Sequence, residues 1–352
     1  MNNKLLIGTL TVFAAICTSI LLLNISKSKS VKDNYFERKF SKNEFLIFEK
    51  NYSKLSKNEL QQSFGSGNTI FEIDHINNLT NECDLISTDF LFIKKINSKI
   101  IIPNESNILA VGKKSVFYSF KKMLYKLNHD STTINKIKTF NFNVSSLVIL
   151  ENFSNKCLFL GEFLSANTFK IGFFILNLDT NEITTSKLLY DKNESFKPEI
   201  VMKYAGDFQK TTSDSYAYTC EDNSKIYLFN ENGVFKKEFN TKDKTPLPNT
   251  FKDSHGNCYF SRNGSKYTNS GILIDRKSLF VFSMASPIKD KIIIDQYSKT
   301  TQKYIQSFKL NYKNHSSLDI ENIYLNNGKI ILKFESGYAS FKFSRYNDGN
   351  FY

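Results

Sequence analysis

The sequence lacks the short motifs that mark most enzyme active sites. It has no G-x-S-x-G segment, so it offers no candidate nucleophile for serine hydrolysis. Gly65-Ser66-Gly67 is followed by neither a third glycine nor a Lys-Ser/Thr pair, which argues against a phosphate-binding loop. No aspartate-rich turn has the spacing of an EF-hand calcium loop. No class of enzyme is therefore indicated by a motif.

Histidine and cysteine are scarce and widely separated. The 4 histidines stand alone, and the 5 cysteines include no C-x-x-C pair. Neither a zinc site nor a thioredoxin-like redox pair is indicated, and we predict no cofactor. Disulfides and buried free thiols are both compatible with the four cysteines outside the N-terminal region, which are Cys83, Cys157, Cys220 and Cys258.

Arginine-rich tracts and aromatic-plus-glycine RNA-binding motifs are also absent, although the formal net charge is +13. The lysines are scattered among many Asn, Ile, Phe and Tyr residues, which is the pattern of a chain from an AT-rich genome. We therefore predict no nucleic-acid partner.

Helical periodicity is nearly absent, but an uncharged apolar run extends from Leu5 to Ile25. A helix of this run would be about 30 Å long, which is the thickness of a bilayer core. We predict an uncleaved N-terminal membrane anchor, with a cleaved signal peptide or a lipoprotein acylated at Cys17 as alternatives. Lysines follow the run, but large domains translocate largely regardless of flanking charge. We therefore expect an extracytoplasmic domain, in the periplasm or at the cell surface.

Short apolar runs broken by polar turn residues dominate the chain past residue 65, and this pattern predicts strands. The clearest hairpin is Lys225 to Phe239, where Asn232-Gly233 suits the positive φ angles of a tight turn. Four other segments have the same layout: Met123 to Phe140, Phe173 to Leu189, Ile292 to Leu310 and Asn322 to Phe343.

The spacing of these units is near the roughly 40 to 50 residues of a propeller blade. One gap, from Phe239 to Phe308, is longer, and we expect it to contain an extra unit between Asn257 and Ser286. The sequence predicts an all-β fold, a six- or seven-bladed β-propeller behind an N-terminal transmembrane helix. A pair of β-sandwiches is the alternative.

Three regions are predicted along the chain. Residues 1–30 are the membrane anchor or signal segment, residues 31–64 a stalk or linker, and residues 65–352 the propeller domain. A short apolar run at Phe45–Phe48 within the stalk predicts a strand that closes the last blade.

The segment DSHGNCYF, Asp253–Phe260, resembles the D-x-x-G-N-x-Y turn that precedes a strand in TolB-like and NHL-like propellers. From about Val201 onward, the order of segments such as SYAYTCEDNSKIYLFNENGVFKKEF and SGILIDRKSLFVFSMA is similar to that of membrane-anchored propeller proteins of Bacteroidetes. The resemblance implies a propeller of the cell envelope with an envelope protein as its partner. It implies no activity and no functional residues.

The candidate residues for a funnel or a partner surface lie near predicted turns and strand starts: Tyr216, Tyr218, Asp253, His255 and Tyr259. A tyrosine at such a place can face a partner with its ring buried and its hydroxyl wet, and core packing is the competing interpretation.

Three functions remain open from the sequence. The first is a non-enzymatic envelope scaffold that binds a protein or another ligand, and the second is an accessory protein for sugar or peptide binding. The third, an envelope hydrolase or lyase, requires a metal in the propeller funnel. That metal would need convergence of several of Asp207, Asp214, Glu221, Asp253 and His255.

Overall fold

The computed structural model describes residues 36–344, with gaps at 56–60, 67–68, 78–81, 90–94, 104–105, 113–114, 121–122, 129–133, 140–141, 151–154, 166–167, 195–196, 212–214, 244–246, 255–257, 262–266, 276, 287, 289 and 327–328. Nearly all regular structure in these residues is β-strand. A short helix, α1 (Pro198–Met202), and a 3-10 turn at Ser317–Asp319 interrupt it.

The described residues form six four-stranded sheets and one two-stranded sheet, and all the strand pairs are antiparallel. The first strand of the chain is β1 (Leu46–Tyr52), which belongs to the last sheet. Sheet 1 contains β2 (Gln61–Ser66), β3 (Thr69–Asn77), β4 (Glu82–Asp89) and β5 (Lys95–Ile101). Sheet 2 contains β6 (Asn107–Val111), β7 (Ser115–Phe120), β8 (Met123–Asn128) and β9 (Ile134–Thr139).

The next two sheets continue the same meander. Sheet 3 contains β10 (Phe142–Ile149), β11 (Lys156–Ser165), β12 (Thr168–Asn177) and β13 (Ile183–Lys192). Sheet 4 follows α1 and contains β14 (Gly206–Lys210), β15 (Tyr216–Cys220), β16 (Lys225–Phe229) and β17 (Phe235–Asn240).

A two-stranded hairpin, β18 (Asn249–Lys252) with β19 (Cys258–Ser261), separates sheet 4 from sheet 5 in the chain. Sheet 5 contains β20 (Asn269–Ile274), β21 (Ser278–Ser283), β22 (Ile292–Ser298) and β23 (Tyr304–Leu310). Sheet 6 contains β24 (Asn322–Asn326), β25 (Lys329–Phe334), β26 (Gly337–Phe343) and, at its edge, β1.

Apolar side chains pack between each sheet and the next, because strand residues alternate between the two faces of a sheet. In sheet 2, for example, Tyr118 packs against sheet 1 and its neighbour Phe117 packs against sheet 3. A further cluster joins sheet 6 to sheet 1 through Tyr338 and Ile70, so the sheets follow one another around a closed ring. This arrangement confirms the predicted all-β propeller.

The N-terminal strand closes the ring. β1 pairs with β26 from Leu46 opposite Phe343 to Tyr52 opposite Tyr338. Phe45 also stacks on Phe280 of sheet 5 with ring centroids 4.3 Å apart. The strand predicted at Phe45–Phe48 is therefore present, and it lies within the segment predicted as a stalk. Its pairing leaves the two ends of the propeller in one sheet.

The turn chemistry predicted from the sequence is also found. Gly233 has a φ of 75° and closes the hairpin of β16 and β17, while Asn181 has a φ of 56° between β12 and β13. The Asn230 side chain accepts hydrogen bonds from the backbone N–H groups of Asn232 and Val234 at 3.2 and 2.8 Å. Small polar side chains thus fix the turns at which these strands reverse.

The extra unit expected between Asn257 and Ser286 is not a separate four-stranded sheet. β20 pairs with β21, and β21 pairs with β22, so both strands belong to sheet 5, whereas β19 pairs with β18. The segment Asp253–Phe260 therefore belongs to the two-stranded hairpin instead of leading into a strand of the ring. The long gap arises because this hairpin is inserted between two ordinary sheets.

No helix of the described residues is long and apolar enough to cross a bilayer. Leu5 to Ile25, together with Cys17, lies outside those residues. The four cysteines of the propeller are free thiols: Cys83, Cys157 and Cys220 are buried, and Cys258 is partly exposed.

Candidate partner-binding hairpin

The hairpin of β18 and β19 stands outside the ring of four-stranded sheets. Its register places Thr250 opposite Phe260 and Phe251 opposite Tyr259. Residues directly opposite one another in an antiparallel pair share a face, so Phe251 and Tyr259 lie on the same side of the hairpin.

Phe251 and Tyr259 form an exposed aromatic pair. Their rings stack with centroids 5.5 Å apart, and the two residues are 52 % and 45 % exposed. On the other face, Cys258 and Phe260 are half-buried. Aromatic side chains bury about 150–250 Å² each, so covering the exposed half of both rings would contribute roughly 5 kcal/mol before the costs of binding.

Basic residues surround the hairpin in the chain. The segment from Thr241 to Thr268 contains five basic and two acidic side chains. One of the two acids, Asp243, is 2 % exposed and paired with Arg38, and the other, Asp253, is half-buried. The segment that contains the hairpin therefore carries a surplus of basic residues.

The chain leading into the hairpin is held against the ring. The backbone N–H of Lys242 donates to the Tyr297 hydroxyl at 3.0 Å. The Lys242 ammonium lies 5.4 Å from the centre of the Tyr304 ring. The next residue, Asp243, accepts a hydrogen bond from the Ser283 hydroxyl at 2.5 Å. These contacts hold Lys242 and Asp243, in the connection before the hairpin, on sheet 5.

Arg38 completes this attachment from the N-terminal segment. Its Nη2 is 2.5 Å from Asp243 Oδ2, and its Nε is 3.0 Å from Asp295 Oδ1 on β22. The three side chains are 3 %, 2 % and 1 % exposed, in the order Arg38, Asp243, Asp295. One guanidinium thus neutralises two buried carboxylates, as its planar fork of donors permits.

Burial governs the electrostatics of this cluster. It raises the pKa of Asp243 and of Asp295, against the opposing effect of the Arg38 charge. Burial opposes the charge of Arg38 as well, but hydrogen bonding to Asp295 and the charges of both carboxylates raise the pKa of Arg38 overall. Arg38 therefore stays cationic, and the cluster depends on it.

Two of the residues predicted for a partner surface lie in the core instead. Tyr216 and Tyr218, on β15, are 2 % and 0 % exposed in the cluster between sheets 3 and 4. The Tyr218 hydroxyl donates to the carbonyl of Tyr204 at 2.6 Å, and its ring meets Phe173 edge to face at 5.0 Å. Both tyrosines act as packing residues, because sheet 3 covers the face of β15 from which they project.

The other three predicted residues belong to the hairpin region. Tyr259 is the exposed aromatic of β19, and Asp253 follows β18 directly. His255 lies in the gap at 255–257, outside the described residues. The hairpin thus brings together Asp253 and Tyr259 of the five candidates and separates them from Tyr216 and Tyr218.

Of the residues considered for a funnel metal, Asp207 and Glu221 lie in neighbouring segments of sheet 4, and Asp253 lies in the separate hairpin. Asp207 lies on β14 opposite Thr219, and Glu221 follows β15 with its N–H donating to Ala205 at 3.0 Å. Asp214 and His255 are outside the described residues. No group of three His, Cys, Asp or Glu side chains that could hold a metal ion occurs within the described ranges.

A shallow groove on sheet 3 is a second surface feature. It encloses about 340 Å³ between Phe163, Phe174 and Leu188. Its one charged wall residue, Lys170, forms an ion pair with Asp191 at 3.1 Å. Its other lining residues are Ile183 and two threonines, Thr168 and Thr185, so it presents few polar groups and the hairpin is the stronger candidate.

Two residues of this region were missed by sequence reasoning. Phe251 sits in a short polar run that resembles a loop, and only its partner Tyr259 was singled out. Arg38 is one of four arginines among 47 basic residues. That rarity was a usable signal, because arginine is the residue suited to buried, bidentate contacts with carboxylates.

The fold and this region together define a β-propeller with an inserted aromatic hairpin. No family model matches the chain, and no curated protein matches it in sequence.

Solved structures similar to this chain include three propellers. A member of the DUF4221 family from Bacteroides vulgatus is 11 % identical with a TM-score of 0.42, covering 86 % of this chain and 99 % of that one. A virginiamycin B lyase from Staphylococcus aureus is 12 % identical with a TM-score of 0.43, covering 84 % and 99 %. TolB from Acinetobacter baumannii is 12 % identical with a TM-score of 0.39, covering 79 % and 64 %. Such likenesses concern the fold and assign no function.

Proposed function

We propose that this protein is a non-enzymatic β-propeller of the cell envelope that binds a partner protein through the β18–β19 hairpin. The observation that carries the proposal is the exposed stack of Phe251 and Tyr259 on a sheet outside the ring. Large exposed aromatics on a strand invite aggregation, and natural proteins usually protect such strands. Their presence on a hairpin whose preceding connection is held on sheet 5 supports a binding role.

The partner that fits this hairpin is an extended segment carrying both apolar and acidic side chains. All four residues of β18 are exposed, and the described residues place no third strand beside the hairpin. An extended segment can add a strand to such an edge, with its apolar side chains against the aromatic pair. The surplus of basic residues between Thr241 and Thr268 favours acidic side chains on the partner.

We also propose that Leu5 to Ile25 anchors the protein in a membrane, with the propeller on the extracytoplasmic side. The length and apolarity of the run support the anchoring, and the tendency of large domains to translocate regardless of flanking charge supports the side. Ten residues separate Ile25 from Phe36, the first described residue. Ten extended residues span at most about 35 Å, so the propeller would remain close to the bilayer surface.

The test is site-specific photocrosslinking in the cells that make the full-length protein. A photoreactive phenylalanine analogue replaces Phe251 in one strain and Leu318 in a control strain. Leu318 is 56 % exposed but belongs to the 3-10 turn before sheet 6. We expect one discrete protein adduct from position 251, none from position 318, and an acidic, apolar segment at the crosslinked site of the partner.

A synthetic peptide of the crosslinked segment then provides the direct measurement. It should bind the purified full chain, and Tyr259→Ala should weaken that binding while Leu318→Ala leaves it unchanged. Equal crosslinking from both positions, or an adduct with lipid alone, would overturn the proposal. A stoichiometric metal ion in the purified protein with hydrolytic or lyase activity would instead support the enzyme alternative.

A further inference from the structure

The N-terminal segment 36–41, here called the strap, lies on the outer strand of sheet 5. Phe40 forms a parallel bridge with Ser307 of β23. Ser41 N–H donates to the Ser307 carbonyl at 2.8 Å, and Ser307 N–H donates to the Lys39 carbonyl at 2.9 Å. Phe36 meets Tyr304 edge to face at 4.9 Å. The strap is therefore docked on the propeller as a short additional strand.

Arg38 links the strap to two different parts of the molecule. Its contacts with Asp295 on β22 hold the strap to sheet 5. Its contact with Asp243 reaches the connection between β17 and β18, six residues before the hairpin begins. Lys242 in the same connection lies over the Phe36 ring of the strap at 5.5 Å. The strap and the connection that leads into the hairpin are thus in direct contact.

The cluster depends on the strap for its neutrality. Ser283 and Ser307 donate to Asp243 and Asp295, but Arg38 supplies the only positive charge that the described residues place in hydrogen-bond contact with these carboxylates. Withdrawing the strap would leave two like charges buried close together, which is strongly unfavourable. The connection carrying Asp243 would then have to move toward solvent.

The docked state is also incompletely satisfied. Arg38 Nη1 and Asp243 Oδ1 are buried and have no hydrogen-bond partner among the described residues. A buried polar atom without a partner costs about 1–3 kcal/mol. This cost lowers the free energy needed to release the strap, and it falls on the two residues that join strap and hairpin.

We infer that the strap sets the position of the hairpin through the Arg38–Asp243 contact, so that docking of the strap and binding at the hairpin are coupled. The inference rests on the proposed function, because it assigns a regulation to the same surface. Coupling of this kind is reciprocal: a partner that favours the held hairpin also favours the docked strap. Arg38 is a positioning residue, acting on the hairpin through Asp243.

Cys258 provides a reporter that needs no partner. It is the partly exposed thiol of β19, whereas Cys83, Cys157 and Cys220 are buried. In the full chain with Cys17→Ser, the rate of maleimide labelling at Cys258 therefore measures how firmly the hairpin is held. We expect Arg38→Gln to raise this rate at least fivefold and Arg38→Lys to raise it less. Lys39→Gln, an exposed charge removal on the same strap, should leave it unchanged.

Asp243→Asn supplies a second variant in case Arg38→Gln does not fold. It keeps the side-chain shape and the Arg38–Asp295 pair, and it weakens only the link to the hairpin. We expect faster Cys258 labelling, with a smaller increase in trypsin cleavage of the strap at Lys39 than Arg38→Gln causes, because the Arg38–Asp295 pair remains. Labelling at the wild-type rate in a folded Asp243→Asn or Arg38→Gln variant would overturn the coupling.

The two proposals fail in different ways. If position 251 gives no specific crosslink, the proposed partner binding is wrong, but the labelling result for the strap still stands. If the labelling rate is unchanged in the Arg38→Gln and Asp243→Asn variants while position 251 still gives a crosslink, the coupling is wrong and the partner binding stands. Where both hold, the synthetic partner peptide should slow tryptic cleavage of the strap, which tests the reciprocity directly.

Discussion

Sheet 4 and the β18–β19 hairpin follow one another in the chain and contain similar residues, but the two regions bury them differently. Strand β15 places Tyr216, Tyr218 and Cys220 in the core. The hairpin places Phe251 and Tyr259 in contact with solvent. Sheet 4 lies between two neighbouring sheets, whereas one face of the hairpin has no sheet against it in the described structure. Aromatic side chains thus contribute to stability in one region and are available for binding in the other.

The largest expected difference between the regions is in stability. Tyr218→Ala should lower the free energy of unfolding by roughly 3–5 kcal/mol, because it leaves a cavity beside Phe173 and removes the partner of the Tyr204 carbonyl. Phe251→Ala should change it by about 0.5 kcal/mol or less. Urea unfolding of both variants gives the comparison, and equal losses would show that the hairpin aromatics are part of the core.

Alkaline pH should weaken the ring through its buried thiols. Burial raises the pKa of Cys157 and of Cys220 to about 12 from 9.0. Because the folded-state pKa is the higher one, this stability is fully present below pH 9 and is lost as the pH rises toward 12. Each thiol loses about 1.4 kcal/mol of stability per pH unit in that window.

Urea unfolding measured at pH 8, 9 and 10 tests this dependence. The variant with Cys157→Ala and Cys220→Ala should lose less stability between pH 9 and 10 than the wild type does, each compared with its own value at pH 8. Identical pH profiles for the two proteins would contradict the assignment of the alkaline loss to these thiols.

Partner binding should show the opposite ranking of the two regions. Because the chain contains no tryptophan, Phe251→Trp introduces a single fluorescent reporter at the aromatic pair. Its emission should shift when the crosslinked peptide binds, and adding Tyr259→Ala should weaken binding by about 1–3 kcal/mol. Adding Leu318→Ala should have no effect. An emission spectrum unaffected by saturating peptide would place the partner elsewhere.

The smallest expected effect comes from charge. Lys252 is exposed on β18, next to Phe251 in the strand but on the opposite face of the hairpin. Lys252→Glu should slow association with the acidic peptide a few-fold at low salt, and this difference should fade near physiological ionic strength. Stopped-flow measurements at two salt concentrations, with the tryptophan of the Phe251→Trp variant as the fluorescent reporter, test it. A salt-independent loss would indicate a structural change in the hairpin instead of lost steering.

Local sequence patterns predicted much of the ring. The hairpin of β16 and β17 follows from its apolar runs and from Gly233, whose positive φ is the conformation that the sequence favours there. The closing strand at Phe45–Phe48 was predicted in the same way. The prediction of an extra unit between Asn257 and Ser286 was wrong, because strand signals do not show which strands pair with each other.

The candidate site was harder to predict. The sequence predicts Asp253 and Tyr259 as residues of a funnel or partner surface, and both belong to the hairpin. It does not predict Phe251, because cross-strand register decides which side chains share a face. Tyr216 and Tyr218 were selected with them and are buried, since only the packing of sheet 3 on sheet 4 determines their exposure. Arg38 was missed because its partners are 205 and 257 residues away in sequence.

The sequence by itself determined the strands, the turns and the all-β class, because these depend on residues that are near neighbours in the chain. The tertiary structure alone decided which aromatics are covered, which carboxylates share Arg38, and that the segment before β1 docks on sheet 5. These features depend on contacts between distant segments, and a side chain's burial and charge environment are set by whatever the fold brings next to it.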